Sequence, residues 1–274
     1  MTDATVLKLG GELLEDADAV RHAAASIVRM AARGPLVVVH GGGRAIDAEL
    51  RARNLTPRFV DGLRVTDAAS LDVVVSVLAG RANTTLAAAI GAAGGRAIGL
   101  TGADGLIGLS TRTPPVQSLS GARVDLGFVG QPSGREARLV EALLPLGFIP
   151  VICSIGVDEH GALLNVNADT FAGHLAAVLG ARALIVAGTT AGVLDAGGRT
   201  LEEIGEDDIE AMSASGVAHS GMVAKLRACR HALDGGVALV AIVGGRAGAD
   251  YDEASGTRIV RRAVRTGQEA GMNA

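Results

Sequence analysis

The stretch TVLKLGGELL, Thr5 to Leu14, decides how the rest of the chain is read. Thr5–Leu9 is a short apolar run of the kind that suits a strand covered on both faces. It ends in Lys8 and Leu9 and gives way to Gly10 and Gly11. The same form, an apolar run followed by glycine, returns in VVVHGGGRAID (Val37–Asp47) and in VAGTTAGVLD (Val186–Asp195). In open parallel sheets, ligands bind beyond the carboxyl ends of the strands, where glycine lets backbone approach an anion. A single turn of this sort is equally well explained by tight helix–strand packing. Three of them predict an anion-binding cleft.

Outward from these turns the pattern repeats. Strand-like runs occur at Thr5–Leu9, Pro35–His40, Arg96–Thr101, Pro150–Ile155, Ala183–Ala187 and Val237–Val243. Between them lie amphipathic, alanine-rich stretches at Ala17–Ala32, Ala45–Arg53, Ala68–Ala93, Gly134–Leu146, Ala168–Leu179, Glu206–Ser215 and Met222–Gly235. This alternation predicts an α/β fold with a mainly parallel central sheet. Leu106–Gly130 breaks the rhythm and reads as a β-hairpin or lid. A domain seam is expected after the helix that contains Asp169.

Composition narrows the function. With 274 residues, 49% of them hydrophobic and 20% charged, the chain can bury a sizeable core. A net charge of -4 and 2% aromatic residues argue against a nucleic-acid surface, which needs positive charge and rings for stacking. No basic n-region precedes an apolar stretch, and no long charge-free apolar window occurs, so a cytoplasmic protein without a membrane role is expected. Cys153 and Cys229 show no metal-ligand spacing and read as buried thiols.

Of the 25 cations, all but Lys8 and Lys225 are arginine. Where charge alone matters arginine substitutes for lysine; where a compact ammonium must meet a phosphoryl group it does not. The chain has no GxxxxGK[ST], and no GxGxxG follows a strand, so the cleft is neither a P-loop nor a dinucleotide fold. Lys8 sits among the amides of the first turn. Lys225, in HSGMVAKLRAC (His219–Cys229), lies just inside a helix that begins near Ser220 and Gly221. Both fit neutralisation of a transferring phosphoryl group.

KLGG, HGGG, DGLRVTD (Asp61–Asp67), DLGFVG (Asp125–Gly130), GFIPVICSIGVDEHGALLNVNADTFAG (Gly147–Gly173), GVLD and SGMVAKL, in that order, resemble the amino acid kinase family. The resemblance narrows to the members that phosphorylate N-acetyl-L-glutamate. It implies a three-layer sandwich of two lobes, with residues 1–180 binding the acyl amino acid and 181–274 binding ATP. The implied reaction makes N-acetyl-L-glutamyl 5-phosphate for arginine biosynthesis, with Mg2+ carried by the nucleotide and no dedicated protein ligand for it.

Position by position, the resemblance assigns Lys8 and Lys225 to the phosphoryl group and Asp169 to orienting both lysines. A helix N-cap is the alternative role of Asp169. Gly42, Gly43, Arg64 and Asn165 are assigned to the acceptor; for Arg64 the alternative is a salt bridge with Asp61 or Asp67. Gly10, Gly11, Thr189, Thr190, Gly192, Val193, Leu194, His219 and Gly221 are assigned to ATP. Gly188-Thr189 stands where many members have Thr-Asp, so a carboxylate expected near the nucleotide is missing. Ala103-Asp104-Gly105 and Gly244-Gly245-Arg246 also depart from the usual pattern. A family kinase for N-succinylglutamate or an aminoadipate derivative, and a non-catalytic sensor, remain alternatives. Relatives inhibited by arginine carry a helix ahead of the first strand, for which Met1–Ala4 leaves no room. A homodimer insensitive to arginine is therefore expected, paired through the helix Leu71–Ala93.

Overall fold

The apolar runs assemble into one eight-stranded sheet in a computed structural model that describes residues 2–118, 121–195, 197–214, 220–245 and 250–261. The strand order is Glu203–Gly205, Gly256–Val260, Leu239–Gly244, Ala183–Gly188, Thr5–Leu9, Leu36–His40, Ile149–Cys153, Ala97–Thr101. Every pairing is parallel except that of Gly256–Val260 with Leu239–Gly244. Thr5–Leu9 sits inside the sheet between Ala183–Gly188 and Leu36–His40, so the three glycine turns emerge side by side at one edge.

Alternation along these strands divides the core. Val6, Val37, Val39, Ile152, Leu184 and Val186 face one layer, where Ala172, Leu175, Leu226, Cys229 and Ala232 of helices Ala168–Leu179 and Ser220–Asp234 cover them. Leu7, Leu9, Val38, Val151 and Ile185 face the other, covered by Ala23, Ile27, Met30, Leu86 and Ile90. Successive residues of a strand point to opposite faces. Both sides of the sheet are thus buried, which is why these runs are continuous in hydrophobicity; each large aliphatic side chain so placed contributes about 1.5–3 kcal/mol.

Several elements differ from the sequence reading. Pro150–Ile155 is not one strand: Ile149–Cys153 belongs to the large sheet, and after Ser154 the chain turns into a second sheet ordered Ile155–Val157, Leu163–Val166, Val129–Pro132, Ser110–Arg112. Both pieces are fully apolar, so hydrophobicity gave no sign of the change of direction. The Leu106–Gly130 stretch supplies Ser110–Arg112 to that second sheet and a small hairpin of Val116–Gln117 with Arg123–Val124. The long helix is Ala68–Val75 and Asn83–Ala92 joined by a π-helical segment, Ser76–Ala82. By length and composition alone Ala68–Ala92 meets the requirement for crossing a membrane, yet 39% of its most apolar window is buried inside this fold.

Candidate active site

Strand alternation places Lys8 on the same face as Val6, the face covered by helix Ala168–Leu179. Asn167 caps that helix: its Oδ1 accepts from the backbone N–H of Asp169 at 2.9 Å and of Thr170 at 3.0 Å. Asp169 is therefore not the cap. Its side chain is released from the helix terminus and meets Lys8 Nζ at 2.7 Å and Lys225 Nζ at 3.9 Å. The side chains of Lys8 and Asp169 are 6% and 8% exposed. Removing either partner would strand a buried charge, which is costly.

Lys225 reaches Asp169 because two helices touch through their backbones. A Cβ on Gly173 would lie 2.5 Å from the carbonyl oxygen of Ala228, closer than real atoms approach. Glycine is required at that crossing. Asp169 is one turn before Gly173 and Lys225 one turn before Ala228, so the contact brings the two charged groups together.

The first two glycine turns are in similar contact. A Cβ on Gly11 would lie 2.7 Å from Gly42 Cα, so neither turn has room for a side chain between them. Helix Gly43–Ala52 starts there without a side-chain cap, leaving its first amides and the positive end of its dipole facing the turn.

These elements line one cavity of about 230 Å3, bounded by Lys8, Gly11, Glu12, Gly42, Gly43, Arg64, Asn165 and Asp169 among others. Its far wall is made by two sequence motifs zipped together. Thr66 N–H donates to Leu126 O at 2.8 Å, and Phe128 N–H donates to Thr66 O at 2.7 Å. Asn165 N–H donates to Phe128 O at 2.9 Å, and its side-chain Nδ2 donates to the Thr66 hydroxyl at 3.0 Å. The Thr66 hydroxyl is within 3.4 Å of Arg64 O, to which it donates. With Nδ2 so engaged, Asn165 turns its Oδ1 to the remaining side.

Arg64 lines the same cavity. Its Nη2 is 2.6 Å from Asp47 Oδ1 and donates to Gly43 O at 3.2 Å, while its guanidinium lies 4.6 Å from the Phe59 ring centroid. Nη1 is buried with no partner. A buried donor without a partner is an exception that calls for an explanation. Neither Asp61 nor Asp67 holds Arg64 through a salt bridge in this arrangement: Asp67 caps helix Ala68–Val75 by accepting from Ser70 N–H.

Asp47, Thr66 and Asn167 were not singled out from sequence. Asp47 lies four residues after Gly43, and that helical spacing was the available signal. Thr66 and Asn167 lie inside the quoted motifs, but only the fold shows which neighbours they orient.

Of the residues assigned to ATP from sequence, Thr189 and Thr190 are exposed just beyond the end of strand Ala183–Gly188. Val193 is buried, and its N–H donates to the Thr257 hydroxyl at 2.8 Å, pinning the Gly192–Leu194 turn to strand Gly256–Val260. Gly221 lies in the first turn of helix Ser220–Asp234 and is open. His219 and Arg246 lie outside the described residues. Ala103-Asp104-Gly105 is not part of the cavity lining, and Asp104 accepts from Thr101 N–H at 2.7 Å.

His40 is wholly buried at a strand end, and burial pushes its imidazole down to about 4, against a small opposing effect of its hydrogen bond to Gly41 O. Cys153 is pushed up to about 11 by burial, and Cys229 is likewise raised, so both are inert thiols.

The profile of the amino acid kinase family matches residues 3–244. The chain is 41% identical over 247 residues to an acetylglutamate kinase of Rhizorhabdus wittichii, covering 88% of this chain and 82% of that one. It is 42% identical over 245 residues to the acetylglutamate kinase of Synechocystis, covering 88% and 80%. Among solved structures, a Streptococcus mutans protein superposes with a TM-score of 0.79 at 26% identity over 96% of this chain and all of that one. The family profile spans most of the chain and curated relatives match 88% of it, so this chain belongs to the amino acid kinase family.

Proposed function

We propose that this chain transfers the γ-phosphoryl group of ATP to the side-chain carboxylate of N-acetyl-L-glutamate, a step of arginine biosynthesis. The observation that carries the reading is that Lys8 and Asp169, the latter also facing Lys225, line one cavity with Arg64 and Asn165. At about 230 Å3 the cavity lies below the roughly 300–1,000 Å3 of drug-sized pockets and suits one small acyl amino acid. Arg64 Nη1 takes the α-carboxylate, and Asn165 Oδ1 accepts from the acetamido N–H. The side-chain carboxylate then points to Lys8 and the amides of Gly11, Gly42 and Gly43.

That carboxylate is ionised at neutral pH, so no base is needed. One of its oxygens attacks the γ-phosphorus as the bond to the β,γ-bridging oxygen breaks. The products are an acyl phosphate and ADP, and no proton moves. The obstacle is repulsion between two anions, which Lys8 and Lys225 relieve as charge redistributes over the phosphoryl oxygens. Asp169 holds both ammonium groups in place. Magnesium brought in with the nucleotide would supply the remaining neutralisation.

Residues 1–180 line the acceptor cavity, while 181–274 supply Lys225, Gly221 and the exposed Thr189–Thr190 turn, in keeping with an acceptor lobe and a nucleotide lobe. We place the enzyme in the cytoplasm as a homodimer. The edge strand Ala97–Thr101 and the exposed, small side chains of Thr84 and Ala88 leave a face available for two-fold pairing. Light scattering reads the assembly.

An acceptor panel tests the reaction: ADP release with N-acetylglutamate, N-succinylglutamate, glutamate, aspartate and carbamate, with hydroxylamine trapping of the acyl phosphate. Turnover is expected with N-acetylglutamate and a trapped hydroxamate. Preference for the succinyl derivative would move the enzyme to the related acceptor, and nucleotide binding without ADP release would make it a sensor.

A further inference from the structure

Glu12 is the carboxylate in the cavity wall that the reaction as described leaves unused. Asp169 is matched by two lysines and Asp47 by Arg64, whereas Glu12 forms no hydrogen bond or ion pair among the described residues. Its position is specific. A Cβ on Gly10 would lie 2.6 Å from Glu12 Oε1 and 2.7 Å from its Cδ and Oε2, so the side chain folds back over the first glycine turn. A Cβ on Gly188 would lie 3.5 Å from Glu12 Oε1 and 3.6 Å from Lys225 Cε. The carboxylate therefore hangs between the ends of strands Thr5–Leu9 and Ala183–Gly188, beside the lysine assigned to the nucleotide phosphates. Thr189, next along the second strand, offers no charge.

A free carboxylate beside a polyphosphate site repels its ligand unless a cation lies between them. Among the described residues Lys225 already faces Asp169 and no cation pairs with Glu12, so a cation that arrives with the ligand fits this place. Mg2+ is held characteristically by one or two carboxylates together with substrate phosphates and retained waters, which is the donor set that one glutamate over two glycine turns would offer. We propose that Glu12 is a protein ligand, direct or through a bound water, for the magnesium of the nucleotide complex, so that the site selects the metal-bound nucleotide and rejects the metal-free one. The inference rests on the kinase reading of the cleft. It departs from the expectation that the metal has no dedicated protein ligand.

Isothermal titration calorimetry of ADP binding, with magnesium and with chelator, tests it in the wild type and in Glu12→Gln. The isosteric amide removes charge without removing bulk. Magnesium-ADP should bind about tenfold more weakly to the variant, within the range for losing a metal-supporting group, while metal-free ADP binds as well or better. The opposite signs are the signature. Glu12→Ala must shift the ratio of the two affinities in the same direction. Equal losses for both forms would show a merely structural role, and an unchanged ratio would show that Glu12 does not face the metal; either overturns the proposal. Failure of the wild type to bind ADP in either form would instead remove the kinase reading on which it stands.

Discussion

The two sides of the cleft are built differently. The acceptor wall is a mesh of short-range locks, in which Thr66, Leu126, Phe128 and Asn165 exchange backbone hydrogen bonds and Arg64 is clamped by Asp47, Gly43 and Phe59. The nucleotide side presents the exposed turn Thr189–Thr190 and a lysine positioned by a helix crossing at Gly173. An acyl amino acid must be told from its analogues by the placement of single donors and acceptors, so its groups are held rigidly. A polyphosphate is recognised chiefly by charge, so placing one ammonium and one carboxylate matters more than enclosing the ligand.

That contrast is broken most sharply where both sides meet. Lys8→Ala is expected to lower kcat by roughly two to three orders of magnitude, the effect of losing one preorganised transition-state donor. Steady-state assays read it; near-normal turnover would remove Lys8 from the chemistry. Gly173→Ala touches no ligand, yet it must push the helices apart at Ala228 and carry Lys225 off Asp169. A loss of about tenfold or more in kcat, with the acceptor KM little changed, is expected. A variant with wild-type kcat would show that the crossing does not set the site.

His40 lies beneath both sides and gives a test by pH. Its folded imidazole is depressed to about 4, so the unfolded chain takes up a proton below about 6.5 that the folded chain refuses. The contribution is fully present above 6.5 and is lost as pH falls towards 4, at about 1.4 kcal/mol per unit. Urea melts between pH 4 and 8 should show this slope, and His40→Asn should flatten it. Turnover between pH 6.5 and 8 should stay level in the same range, because no group in the cleft must lose a proton. A steep rise of kcat there would introduce a base that the carboxylate chemistry does not need.

The acceptor wall is sharpened by two milder changes. Arg64→Lys keeps the charge and loses the planar fork, so the acceptor KM should rise by about tenfold with the ATP KM unchanged. A raised ATP KM instead would place Arg64 on the other side of the contrast. Thr66→Val removes the hydroxyl that fixes the Asn165 amide. A several-fold rise in acceptor KM is expected, recovered by Thr66→Ser. If valine is as good as threonine, the amide is oriented by something else.

What could be read from the chain was local and periodic. Continuous apolar runs ending in glycine pointed to the parallel sheet and to the edge where its glycine turns gather, because strands buried on both faces admit little else. Restriction of lysine to Lys8 and Lys225 marked two groups that the fold indeed brings to one carboxylate. Pairings across the chain could not be read in this way. Asn167 rather than Asp169 caps the helix, because the cap is set by where the strand Leu163–Val166 delivers the chain. Asp47 rather than Asp61 or Asp67 meets Arg64, because helix Gly43–Ala52 and the Arg64 strand lie side by side only in three dimensions. Glu12 looked like one more acidic residue after a glycine turn until Gly188 and Lys225, far along the sequence, were placed beside it. Sequence fixes periodicity and residue chemistry within one element; the distance between side chains on different elements is a property of packing, and only the tertiary structure decides it.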